Sequence, residues 1–195
     1  MTRSRILHGL LAVIAGLLLL GLTGAISQAV ATSRDRRAYP PPGEMIKVAG
    51  HRLHLHCTGH GTPTVILEAG NLGMSAHWVR IQQEVARVTR VCSYDRAGMG
   101  WSEAAPGSRD ARQIAAQLHS LLSGAGETGP YVPVGHSYGG LYALNHAGQY
   151  PAEVAGLVLL DSSHPDRSPV RPKVRRCFGE PAGWVLSFRG WPGSA

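Results

Sequence analysis

A serine with a glycine two residues to either side, Gly135-His136-Ser137-Tyr138-Gly139, is the stretch whose residue types and spacing point most directly to chemistry. A serine hydroxyl attacks a carbonyl carbon when it is held clear of the backbone on a sharp strand-to-helix turn, and flanking glycines leave room for the chain to fold that tightly. The flanks here suit such a turn: the apolar run Tyr131-Val132-Pro133-Val134 precedes it and a helical pattern, Tyr138 to Gln149, follows it. The amino terminus of that helix presents unpaired N–H groups and the positive end of its dipole to the charge that develops on the attacked oxygen. The five-residue pattern alone also describes an ordinary Gly/Ser turn, so its flanks carry the specificity. His136 neighbours the serine but projects in another direction, and is read as a packing residue rather than a base.

The elements that must position Ser137 follow from periodicity. Met45 to Ala49 and Arg52 to Cys57, parted by Gly50, read as a hairpin in which Leu53, Leu55 and Cys57 alternate with His54 and His56. Thr64-Val65-Ile66-Leu67 is a continuous β-branched run of the kind buried on both faces of a parallel sheet. Residues 76 to 88 show helical spacing, with Trp78, Ile81, Val85 and Val88 on one stripe. Strand 90–94, helix 110–122, strand 131–134, helix 138–149 and strand 154–160 continue the alternation. The pattern predicts an α/β fold with a mostly parallel, doubly wound sheet of about six strands.

At 195 residues the chain suffices for one packed unit, and 44% apolar with 16% charged residues excludes a disordered one. The net charge of +7 raises the question of nucleic acid, but the charge sits at the ends: residues 1–37 carry +4, 38–165 carry −1 and 166–195 carry +4. A near-neutral middle offers no basic stripe for phosphates, so no nucleic-acid partner is expected.

Ile6 to Ile26 is almost wholly apolar, with Arg3 and Arg5 before it and Arg34, Arg36 and Arg37 after it. Its length favours an uncleaved transmembrane helix over a signal peptide, although Ala29-Val30-Ala31 resembles a cleavage site. The organisation expected is a membrane anchor or signal segment over 1–37, a Pro-rich linker over 38–43, a folded core over 44–166 and a basic, off-pattern tail over 167–195. Cys57, Cys92 and Cys177 are odd in number and lack metal-type spacing, so no metal is expected.

The motifs Leu67-Glu68-Ala69-Gly70, Cys92-Ser93-Tyr94-Asp95-Arg96-Ala97-Gly98-Met99-Gly100-Trp101-Ser102, Gly135-His136-Ser137-Tyr138-Gly139-Gly140 and Leu159-Leu160-Asp161-Ser162-Ser163-His164 together resemble the α/β-hydrolase family. Pro41-Pro42-Gly43 and Gly50-His51-Arg52-Leu53-His54 extend the resemblance, which covers Pro40 to Asp166 and is greatest to membrane-anchored bacterial members. It implies a hydrolase of small carboxylic esters or amides that works without a cofactor, at a membrane or exported to the bacterial cell envelope. Ser137 would be the nucleophile and the Tyr138 N–H one oxyanion donor. Asn71 takes the place of the second donor, in a loop where Ala69-Gly70 replaces the commoner His-Gly; a plain loop turn is the alternative. Asp95 and Arg96 would brace loops around the site. The family's sheet sets its second strand antiparallel beside its fourth, which brings Cys57 near Cys92; a disulfide and a pair of small buried residues both fit.

A serine needs a base, usually a histidine oriented by a carboxylate. The family supplies both after further strands beyond the elbow, and this chain carries only His146 and His164 past Ser137. His146 falls on the elbow helix. Asp161, at the carboxyl end of a parallel strand, is the candidate acid and His164 the candidate base. A truncated, catalytically incompetent hydrolase fragment is the competing expectation, with a long apolar sheet edge left open at Val154 to Leu160.

Overall fold

The run Thr64–Glu68 lies inside the sheet, between two parallel neighbours, where both faces are covered and a continuous apolar strand is what burial demands. The computed structural model describes residues 2–163 and 185–188. It divides into a first unit, Met1–Pro41, and a second that begins at Pro42.

The first unit is one helix, α1 (Thr2–Ala38). Its Ser4–Asp35 stretch, 32 residues with a mean hydropathy of 2.4 over its most apolar 18, is long and apolar enough to cross a membrane, a property that a signal sequence shares.

In the second unit, β1 (Glu44–Val48), β2 (His51–Thr58), β3 (Thr64–Glu68), β4 (Val91–Tyr94), β5 (Tyr131–His136), β6 (Leu157–Leu160) and β7 (Val185–Phe188) form one sheet in the order β1-β2-β4-β3-β5-β6-β7. β2 runs antiparallel to β1 and β4, and the other pairings are parallel. Register places Cys57 opposite Cys92, and the structure joins them in a disulfide. Helices α2 (Val79–Val85), α3 (Ala111–Gly124) and α4 (Gly139–Gln149) accompany the sheet among the described residues, in the doubly wound arrangement that the alternation predicts.

Three apolar clusters hold the layers among the described residues, one of them Ala143 of α4 against Leu157 and Leu159 of β6. Leu118, Leu121 and Leu122 of α3 pack on Leu53, Leu55, Ile66 and Tyr94. Trp78 packs with Leu67, Ala69 and Val91, flanked by Val85 and Ala86. Asp110 caps α3 by accepting the Gln113 N–H at 2.8 Å, which ends the preceding loop cleanly.

Three expectations need correction. The stripe through Ile81 and Val88 does not face the core: these side chains are 44% and 85% exposed, and Gln82 is buried instead. Gln82 turns inward because its amide has partners there, donating to His56 O at 2.8 Å and accepting from Ser93 Oγ at 2.6 Å. His54, read as the polar face of a half-buried strand, is fully buried. The sheet edge at β6 is not open, because β7, drawn from the off-pattern tail, pairs with it in parallel; the rest of that tail lies outside the described residues.

Candidate active site

Ser137 stands between β5 and α4 with φ +55, a left-handed conformation that a residue with a side chain rarely adopts. Its surroundings hold it there. The Ser137 N–H donates to Leu160 O at 3.2 Å, and Ser137 O accepts from Gly140 N, Ser163 N and Ser162 Oγ at 3.1, 3.0 and 3.1 Å. Glycine is required around the turn for space: a Cβ on Gly139 would lie 2.3 Å from Glu68 O, and one on Gly135 would lie 2.5 Å from the Gly140 Cα. Ser137 is half-buried and His136 is exposed, so His136 is not the packing residue expected: it ends β5 in register with Leu160 of β6 but is left open to solvent.

The loop after β3 comes up against the serine. A Cβ on Gly70 would meet Ser137 Cβ at 3.4 Å, and Asn71 follows, exposed. Neither the Tyr138 N–H nor the Asn71 N–H has an acceptor among the described residues. Three of the residues singled out by sequence, Ser137, Tyr138 and Asn71, thus gather at one end of the sheet. Asp161 closes β6 next to the elbow, exposed and at φ +41. His164 lies outside the described residues. His146 is buried on α4, 6.4 Å from the Tyr131 ring.

A buried polar knot lies beneath this loop, and most of it escaped the sequence reading. Arg96 Nη1 donates to Glu68 Oε1 at 2.6 Å and to Ala69 O at 2.7 Å. Its Nη2 donates to Gly70 O, at 2.8 Å to Asn71 O and at 3.4 Å to Gly73 O. The guanidinium also lies 4.9 Å from the centre of the Tyr142 ring of α4. Glu68 takes the Tyr94 hydroxyl on its other oxygen. Burial pushes the Glu68 carboxyl up to about 7, against the pull of Arg96 and Tyr94. The one advance signal of Glu68 was an acidic residue ending an otherwise apolar buried run.

Asp95 makes a second knot. It accepts the Ser75 N–H at 2.7 Å and the Trp101 N–H at 3.1 Å, and pairs with His54 Nδ1 at 3.0 Å. Burial pushes its carboxyl up, but the hydrogen bonds from His54, Ser75 and Trp101 outweigh that and hold it below the usual range. The His54–Asp95 pair has the form of a base and its orienting carboxylate. Its second nitrogen is engaged with Pro42 O, however, so neither nitrogen is left to serve a serine. Both Asp95 and Arg96 therefore brace loops, as the resemblance implies.

A cavity of about 100 Å³ opens beside the loop, lined in part by Asn71, Leu72, Arg96, Met99 and Tyr142. Among the described residues, metal-type ligand atoms converge only at Cys57, Cys92 and Glu127. There the two sulfurs are spent on the disulfide and Glu127 is paired with Arg90.

Comparison with known proteins agrees with this geometry. The family model described as "alpha/beta hydrolase fold" matches residues 63–189. The 2-hydroxymuconate semialdehyde hydrolase of Pseudomonas sp. (strain CF600) is 32% identical over 126 residues, 64% of this chain and 44% of that protein. Among solved structures, a thermophilic esterase from Thermogutta terrifontis superposes with a TM-score of 0.57 at 30% identity, covering 64% of this chain and 46% of the esterase. The epoxide hydrolase CorEH does so with a TM-score of 0.55 at 26% identity, covering 71% of this chain and 45% of that one. The chain spans less than half the length of the relatives it matches.

Proposed function

Because the chain belongs to the alpha/beta hydrolase fold family, we propose that it cleaves a small carboxylic ester or amide through an acyl-Ser137 intermediate. The observation that carries this reading is the elbow itself: a half-buried serine at φ +55, beside two backbone N–H groups that have no acceptor among the described residues. Ser137 Oγ attacks the carbonyl carbon and gives its proton to a base. The carbonyl oxygen becomes an oxyanion held by the Tyr138 and Asn71 N–H groups. Collapse of the tetrahedral intermediate expels the alcohol or amine, which takes up the proton, and water then releases the acid from the serine. Asp161 is assigned as the orienting acid from its place at the end of β6, and His164 as the base from its sequence position. The step calls for no metal or organic cofactor.

A fluorophosphonate probe tests the reading. Stoichiometric labelling of the full chain that is abolished by Ser137→Ala supports it; a folded, unlabelled chain overturns it in favour of an incompetent fragment. We further infer that α1 tethers the protein to a membrane, on the strength of its length, its apolar composition and the arginines at both ends. Alkaline carbonate extraction should leave the chain in the membrane pellet, and release into the supernatant would sink that inference.

A further inference from the structure

We propose that Glu68 is a positioning residue for the oxyanion hole, acting through Arg96: the carboxylate holds the guanidinium, and the guanidinium sets the orientation of the Ala69–Gly73 loop. This rests on the hydrolase reading above. A trans peptide points its C=O and its N–H in opposite directions. Arg96 draws Ala69 O, Gly70 O and Asn71 O toward itself, so the N–H groups of Gly70, Asn71 and Leu72 are turned away from it. The Asn71 N–H shares its peptide plane with Gly70 O, and Gly70 lies close enough to the elbow that a Cβ on it would meet Ser137 Cβ at 3.4 Å and His136 Nδ1 at 3.6 Å. The bond from Arg96 to Gly70 O therefore fixes the direction of the N–H assigned to the oxyanion.

Arginine is a long side chain, and four carbonyl contacts in a loop do not by themselves fix where its head sits. Glu68 does, because it is the last residue of β3 and is 1% exposed, with its second oxygen tied to Tyr94 on the neighbouring strand. Tyr142 backs the guanidinium from α4, the helix that begins at the elbow. One guanidinium thus registers the strand end, the loop and the nucleophile helix against one another. Fold stability gives little reason to keep an acid here, since a buried ion pair can be replaced by packed apolar side chains at little or no cost. Placement of the loop does give a reason, because a catalytic N–H must be held to within about 0.5 Å by residues that are themselves locked.

The test uses the full chain with Glu68→Gln and, independently, Arg96→Lys, which keeps the charge but cannot hold the carbonyls as a fork. Three quantities are read: hydrogen exchange at the Gly73 amide, which donates to Gly70 O at 3.0 Å; kcat and KM on a p-nitrophenyl ester; and affinity for a trifluoromethyl ketone, which mimics the tetrahedral intermediate. In either folded variant kcat should fall roughly 10- to 100-fold with KM within about twofold, since the lost interaction is made in the transition state. Ketone affinity should fall in proportion, and Gly73 exchange should quicken. If both variants match a wild type that labels at Ser137 and hydrolyses the ester, the clamp is refuted and the hydrolase reading stands. If wild type neither labels nor hydrolyses, the hydrolase reading falls and the catalytic role of Glu68 falls with it.

Discussion

The nucleophile elbow and the polar knot beneath it are built on opposite principles, although they touch through Gly139 and Glu68. The elbow is local: five consecutive residues, a left-handed serine, and glycines whose missing side chains let backbone meet backbone. The knot is assembled from β3, β4 and α4, residues up to 74 positions apart in sequence, and balances charge out of contact with water. The elbow is therefore limited by space and the knot by electrostatics, and each should fail in its own way.

The largest effect on stability should come from the knot. Arg96→Met leaves Glu68 buried without its cation and four carbonyls without their donor, and should lower unfolding free energy by about 3–5 kcal/mol at pH 8. Urea denaturation measures this, and the loss should shrink at pH 6, where Glu68 protonates in the variant. A loss that is small and independent of pH would mean that the knot is not limited by charge.

Next in size is the pH dependence of the wild type. Burial pushes Glu68 up to about 7 from 4.5 as its ordinary value, so the carboxylate that Arg96 and Tyr94 bind is costlier to form in the folded chain than in the unfolded one. The contribution from this group is fully present below about pH 4.5 and is lost as pH rises through 7, an effect on the order of 3 kcal/mol. Glu68→Gln should flatten the unfolding free energy between pH 5 and 8. An unchanged slope in that variant would assign the dependence to other groups.

At the elbow, Gly139→Ala sets a methyl against Glu68 O and should cost about 1–3 kcal/mol by overpacking, with no change in pH dependence. That independence is what separates a spatial limit from an electrostatic one, and denaturation at two pH values decides it. The smallest effect is expected at Glu103, an exposed acid paired with Arg52 at 2.7 Å. Glu103→Gln should leave the urea midpoint unchanged within error, because water screens that pair.

Much of the scaffold could be read in the residues alone. The runs from Thr64, Arg90 and Tyr131 became β3, β4 and β5 within a residue or two, and Asp110 capped its helix as its type suggests. Periodicity failed where a polar side chain turned inward. Gln82 and His54 occupy positions that a one-dimensional pattern gives to solvent, yet Gln82 has His56 O and Ser93 Oγ waiting for it and His54 has Asp95. Of the site, Ser137, Tyr138 and Asn71 came together, while Glu68 went unread because its worth depends on Arg96, 28 residues further on.

Sequence alone determined that a serine would sit on a strained turn between a strand and a helix, since glycine spacing and short-range sterics act within a few residues of each other. It also determined the apolar length of α1, which depends on composition only. Tertiary structure decided which buried polar groups would meet, that Cys57 and Cys92 would pair across β2 and β4, and which way the loop at Gly70 would turn its N–H groups. Those outcomes hinge on partners brought in by distant strands: a buried charge or amide is stable only where its counterpart arrives, and a local pattern does not say where that is.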